Sequence, residues 1–124
     1  MIQLLFIAVG GAIGAVMRFL VSNGVYSIFG KDFPWGTLAV NILGSLMMGF
    51  LYIVFIERMF VSTDTRSLVL VGLLGAFTTF STFSIETLNL IESGEITRAG
   101  FNVILSIFCC IFACWLGLKL GRQL

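Results

Sequence analysis

The sequence predicts an all-α membrane protein of four transmembrane helices, the third broken near its centre. Three observations lead there. Of 124 residues, 59% are hydrophobic and 10% charged, far from the average of soluble domains. The apolar residues gather into four runs, each close to the roughly 20 residues that a helix needs to cross the hydrocarbon. Inside the third run, five hydroxyls (Thr78, Thr79, Ser81, Thr82 and Ser84) surround Phe80 and Phe83. Hydrocarbon offers no hydrogen bonds, and each unsatisfied polar group there costs several kcal/mol. Such a cluster survives only where it is buried in protein or lines a wet path, so it marks the working part of the chain.

The first span is read over residues 2–21. Met1, Ile2 and Gln3 supply no basic region and the apolar run is too long for a cleaved leader, so the segment is expected to remain in the mature protein. Gly10 and Gly14 have the spacing that lets helix backbones approach closely, whether within one subunit or between two. The second span, residues 35–56, follows Pro34 and carries Asn41 deep inside it. The third, residues 68–91, has Gly72 and Gly75 before the hydroxyl run and Glu86 after it. Glycine and β-branched threonine weaken a helix, so a break is expected between Gly75 and Thr79, with freed carbonyls able to coordinate a cation. The competing expectation is a continuous helix whose hydroxyls bond back to carbonyls one turn earlier. The fourth span, residues 99–118, ends near the small pair Gly117 and Gly121. Connectors at residues 22–34, 57–67 and 92–98 hold most of the charges, leaving one four-helix unit over residues 1–124 and no room for a soluble domain.

Four spans place both termini and the second connector on one side, with Arg58, Arg66, Lys119 and Arg122; the other side has Arg18, Lys31 and Arg98. Four cations against three give the positive-inside rule little to act on, which makes insertion in both orientations and an antiparallel homodimer plausible. The alternative is a single orientation fixed by a partner or by Arg58. Four short helices enclose little volume, so a conducting path forms more naturally between subunits than within one.

The chain has no histidine, and Cys109, Cys110 and Cys114 all fall in the fourth span. A metal centre, a disulfide framework and an enzyme are therefore not expected; the cysteines read as small apolar residues. The remaining polar groups suggest a path for an anion. Phe80 and Phe83 share a helix face, either as a lipid-facing pair, common in a chain with thirteen phenylalanines, or as rings whose electropositive edges contact an anion without trapping it as a full charge would. Asn41 either bonds across helices or donates its amide to an anion. Asn102 and Ser106, with Cys110 continuing the stripe, lie on one face as a polar track or as interhelical bonding. Arg18 attracts anions toward an entrance. Glu86 is protonated, paired or an acceptor at the edge of the path.

These motifs resemble those of the Fluc (CrcB) fluoride channel family: Gly10, Gly11, Gly14, Ala15 and Arg18 in the first span; Gly36, Thr37, Leu38, Val40, Asn41 and Gly44 in the second; Gly72, Gly75, the run from Thr78 to Ser84 and Glu86 in the third. The resemblance covers essentially the whole chain. It implies an antiparallel dual-topology homodimer in the plasma (inner) membrane, with two pores that pass fluoride passively and discriminate strongly against chloride. It assigns Phe80 and Phe83 to ring-edge contacts with fluoride, Asn41 to an amide hydrogen bond, and Thr79, Ser81 and Thr82 to nearby hydroxyls. It places a structural Na+ at the dimer centre, bound by backbone carbonyls of Gly75 and Thr78. A polar track would comprise Glu86, Asn102 and Ser106, with Cys110 continuing it, although the family often has tyrosine where this chain has Asn102, and Arg18 would shape the vestibule. Two other readings compete. A proton-coupled small multidrug exporter has similar size but relies on a carboxylate deep in its first helix, where this chain has Gln3 and Arg18 and no acid. A non-transporting subunit of a larger membrane complex would leave the hydroxyl cluster, Asn41 and the two phenylalanines as packing alone.

Overall fold

The computed structural model describes residues 1–124. It contains four helices long and apolar enough to cross a membrane, Ile2–Phe29, Trp35–Arg58, Thr63–Glu92 and Ile96–Arg122, and no strand. The expected all-helical, four-span class is the observed one, and the chain is a multi-pass membrane protein.

Each helix outlasts its apolar run. Polar residues after Val21 do not stop the first span, because Ser22 and Ser27 return their hydroxyls to the carbonyls of Arg18 (2.6 Å) and Gly24 (2.7 Å). The helix ends where Gly30 takes φ 86° and sends its N–H to the Tyr26 carbonyl. A positive φ is a conformation that glycine adopts at little cost. Residues 22–29, expected in a connector, are thus helical. The second span is α-helical over Trp35–Tyr52 and widens to a π-helix over Ile53–Arg58. The third starts at Ser62, whose hydroxyl accepts the Thr65 N–H at 3.2 Å as an N-cap. It continues through Thr63–Arg66, the π-helical Ser67–Leu74 and Gly75–Phe77, breaks, and resumes as Phe80–Glu92. The break expected between Gly75 and Thr79 falls at Thr78 and Thr79.

Glycines bring the spans into backbone contact in two pairs. A Cβ at Gly10 would meet the Leu68 carbonyl and one at Gly14 the Leu73 carbonyl, which fits the first span against the first half of the third. A Cβ at Gly49 would meet the Cys114 carbonyl, and one at Gly117 the Leu46 carbonyl, which locks the second span to the fourth. Both small-residue motifs read from the sequence, Gly10 with Gly14 and Gly117 with Gly121, therefore serve packing inside the subunit. Gly49→Val should destabilise the protein by about 1–3 kcal/mol or more, since the Cys114 and Leu118 backbone that it meets cannot yield to a new side chain. Gly24→Ala, where a Cβ meets nothing within 4 Å, should leave thermal unfolding in detergent close to wild type. Equal melting of both variants would contradict the packing.

Only 21 of the 124 residues are buried, with Val40, Ile53, Leu74 and Asn102 the largest fully enclosed side chains. The outer surface is instead rich in Leu, Ile and Phe, a surface suited to lipid tails and to another apolar face rather than to water.

Candidate functional site

The site is organised by the break in the third span. Thr78 (φ −89°, ψ 158°) and Thr79 (φ −152°, ψ 117°) are extended, so the peptide groups here leave the helical ladder and need other partners. Asn41 supplies two of them. Its Nδ2 donates to the Thr79 carbonyl at 3.0 Å, and its Oδ1 accepts the Thr79 N–H at 2.8 Å, so one amide side chain holds both groups of one residue. Arg18 donates from Nε to the Ala76 carbonyl at 2.9 Å, at the negative end of the first helical half. The arginine predicted at a vestibule thus braces the break from the first span.

The five hydroxyls divide between the two roles considered for them. Thr78 donates to the Leu74 carbonyl at 3.1 Å and Ser84 to the Phe80 carbonyl at 2.9 Å, each one turn back. The other three meet at the start of the resumed helix. Thr79 Oγ1 accepts the Thr82 N–H at 3.1 Å, donates to Thr82 Oγ1 at 3.0 Å and lies 3.3 Å from Ser81 Oγ. This is an N-cap extended into a small hydroxyl cluster at the positive end of a helix dipole.

Beside the cluster lies a cleft of about 410 Å³, with Asn41, Thr79, Phe80, Phe83 and Ser106 in its wall. The two phenyl rings stand 5.2 Å apart between centroids and are inclined by 45°. Ser106 Oγ is buried and has no partner. No acidic side chain lines the cleft, and the sulfur-bearing Met48, Cys110 and Cys114 complete one side. Its wall combines an amide, hydroxyls and two phenyl rings and carries no carboxylate.

Glu86 and Asn102 are outside this cleft. Asn102, 1% exposed, donates from Nδ2 to Thr87 Oγ1 at 2.9 Å, and Thr87 donates to the Phe83 carbonyl at 2.7 Å. That chain ties the fourth span to the backbone that carries Phe83, so Asn102 bonds between helices. Glu86 belongs to a second, polar chamber of about 540 Å³ with Tyr26, Lys31 and Asn89. Its Oε2 accepts the Tyr26 O–H at 2.8 Å. Two participants are absent from the sequence-based set. Thr87 is signalled by its place one turn after Phe83. Tyr26 carries no such signal, since it falls beyond the apolar run.

The carbonyls of Gly75 and Thr78 have lost the donors a continuous helix would give them. Those donors would be Thr79 N–H, which goes to Asn41, and Thr82 N–H, which goes to Thr79 Oγ1. No three His, Cys, Asp or Glu side chains converge anywhere, so an ion held here would rest on carbonyl oxygen, the donor type suited to a hard cation.

Comparison with known proteins adds an independent line. Residues 5–118 match the family described as CrcB-like protein, Camphor Resistance (CrcB). The chain is 54% identical over 120 residues to a protein of Magnetococcus marinus named fluoride-specific ion channel FluC, covering 97% of this chain and 98% of that one. Proteins of the same name from Hydrogenovibrio crunogenus (50% over 122 residues, 98% and 92% covered) and Geobacter sulfurreducens (44% over 124 residues, both chains covered throughout) are similar to it as well.

Proposed function

The chain belongs to the CrcB family, and on that premise we propose that it is a fluoride-selective passive ion channel of the plasma membrane, not an enzyme. The observation that carries the reading is the similarity to fluoride-specific channels along almost the whole chain. The cleft at the break is consistent with it.

In this reading, fluoride passes the edges of the Phe80 and Phe83 rings and meets donors from Asn41, Ser81, Thr82 and Ser106, with the Thr79 hydroxyl orienting Thr82 behind them. Asn41 has a second amide hydrogen beyond the one given to Thr79, and the buried Ser106 hydroxyl has no protein partner. These contacts replace hydration in small steps without binding the ion so tightly that it cannot leave. Export needs no coupled energy source. Hydrogen fluoride enters neutral and dissociates inside, and a negative-inside potential drives each anion out with about 2.3 kcal/mol per 100 mV.

The working unit is an antiparallel homodimer with two pores. Phe80, 78% exposed in the single chain, and the balanced Lys and Arg count support it. A structural Na+ would rest on the carbonyls of Gly75 and Thr78, where it would supply a fixed positive charge beside the anion path.

Purified protein in otherwise empty liposomes should release fluoride rapidly once a potassium ionophore balances charge, while chloride is retained. Retention of fluoride, or equal loss of chloride, would overturn the proposal.

A further inference from the structure

Tyr26 lies outside the cleft and outside the sequence-based site, yet it makes the one hydrogen bond received by the acid nearest the proposed path. Its hydroxyl donates to Glu86 Oε2 at 2.8 Å and lies 3.4 Å from Thr37 Oγ1. An ionised carboxylate only accepts, so the Tyr26 proton is committed to Glu86, and Thr37 must then donate to Tyr26. The result is a directed relay from the second span, through the first, to the third. The tyrosine ring is seated for this role by Gly36: a Cβ there would meet ring atom Cε2 and approach Cδ2 to 2.7 Å. Glu86 Oε1 is buried with no partner. Glu86 is three residues from Phe83, hence on the same helix face, one turn further along.

We propose that Tyr26 is a positioning residue whose hydroxyl holds the Glu86 carboxylate against the first span, off the anion path that runs past Phe83. The proposal rests on the fluoride-channel reading. Without that hydroxyl, neither carboxylate oxygen has a hydrogen-bond partner, and nothing holds the negative group away from Phe83, one helical turn off. A negative charge turned toward that face repels the anion. No other group of the chamber, Asn23, Asn89 and Ser93 included, hydrogen-bonds the Glu86 carboxylate. Lys31 and Asp32 of the first connector line the same chamber with opposite charges. The second span offers Thr37, which is already part of the relay. In the fourth, Asn102 is bound to Thr87, and Arg98 contacts Glu95 at 3.7 Å and the Asp32 carbonyl at 3.4 Å.

The test compares fluoride efflux from liposomes bearing wild type, Tyr26→Phe or Gly36→Ala between about pH 7.5 and about pH 5.5. Leak measured in protein-free vesicles is subtracted at each pH. Phenylalanine keeps the ring on Gly36 and removes only the donor; alanine at 36 keeps the hydroxyl but meets both the ring and the Ser22 carbonyl, so it shifts the ring together with the first span. Both variants should lose at least about tenfold of the neutral-pH flux, the worth of one hydrogen bond to a charged group, and regain it on acidification more steeply than wild type. Wild-type flux in Tyr26→Phe, or a loss with the wild-type pH profile, would overturn the role assigned to Tyr26. No fluoride efflux from wild type would instead overturn the channel reading itself.

Discussion

Asn41→Asp should abolish fluoride flux while leaving a folded, assembled protein. The wild-type amide both donates to and accepts from the backbone of Thr79. Aspartate keeps the acceptor for the Thr79 N–H but loses the donor, and sets a negative oxygen against the Thr79 carbonyl it formerly bonded. It also brings a full negative charge into a cleft that has no acid in its wall. An uncompensated charge in a largely dry site costs about 3–5 kcal/mol, so flux should fall by at least about a hundredfold. Arg18 on the Ala76 carbonyl and the Thr79 cap on Thr82 still hold the break, which is why folding should survive. Liposome efflux read beside gel filtration in detergent separates the two effects. Normal flux in this variant would show that the Asn41 side of the cleft is not on the path.

The double bond from Asn41 to Thr79 also shows what the sequence made legible and what it did not. Four apolar runs and an out-of-place polar cluster were enough for the fold class, because the hydrocarbon constraint is one-dimensional: a helix either has the length and hydropathy to cross or it does not. The break was legible for the same reason, since hydroxyls and glycine crowd a few residues of one span. Partner choice was not. Asn41 had two readings open, bonding across helices or donating to an anion, and its bonds to Thr79 realise the first while leaving one amide hydrogen for the second. Asn102 and Ser106 share a stripe by spacing, yet Asn102 is bound to Thr87 and Ser106 is left unpartnered beside the phenylalanines. Periodicity fixes which residues share a face; it does not say what stands opposite. Tyr26 was hidden more deeply. Its helix continues beyond the apolar run on serine hydroxyls that bond back to the chain, a local satisfaction that hydropathy does not register.

Phe83→Ile should lower fluoride flux by at least about a hundredfold, because isoleucine fills similar apolar volume but has no electropositive ring edge and no hydrogen bond to offer a dehydrating anion. The surrounding bonds predict that the fold will tolerate it. The Phe83 carbonyl, not its ring, anchors Thr87 and through it Asn102, so the backbone at this position stays tied to the fourth span. Phe80→Ile separates the single chain from the dimer. In one chain the Phe80 ring is 78% exposed and its nearest aromatic neighbour is Phe83, at 5.2 Å between centroids. A ring that open cannot dehydrate an ion alone. If the antiparallel partner closes over it, Phe80→Ile should fall with Phe83→Ile, and a dimer locked by cross-linking with one wild-type and one mutated subunit should retain intermediate flux. Unchanged flux in Phe83→Ile would remove the rings from the path and leave the hydroxyl cluster and Asn41 as the groups the anion meets.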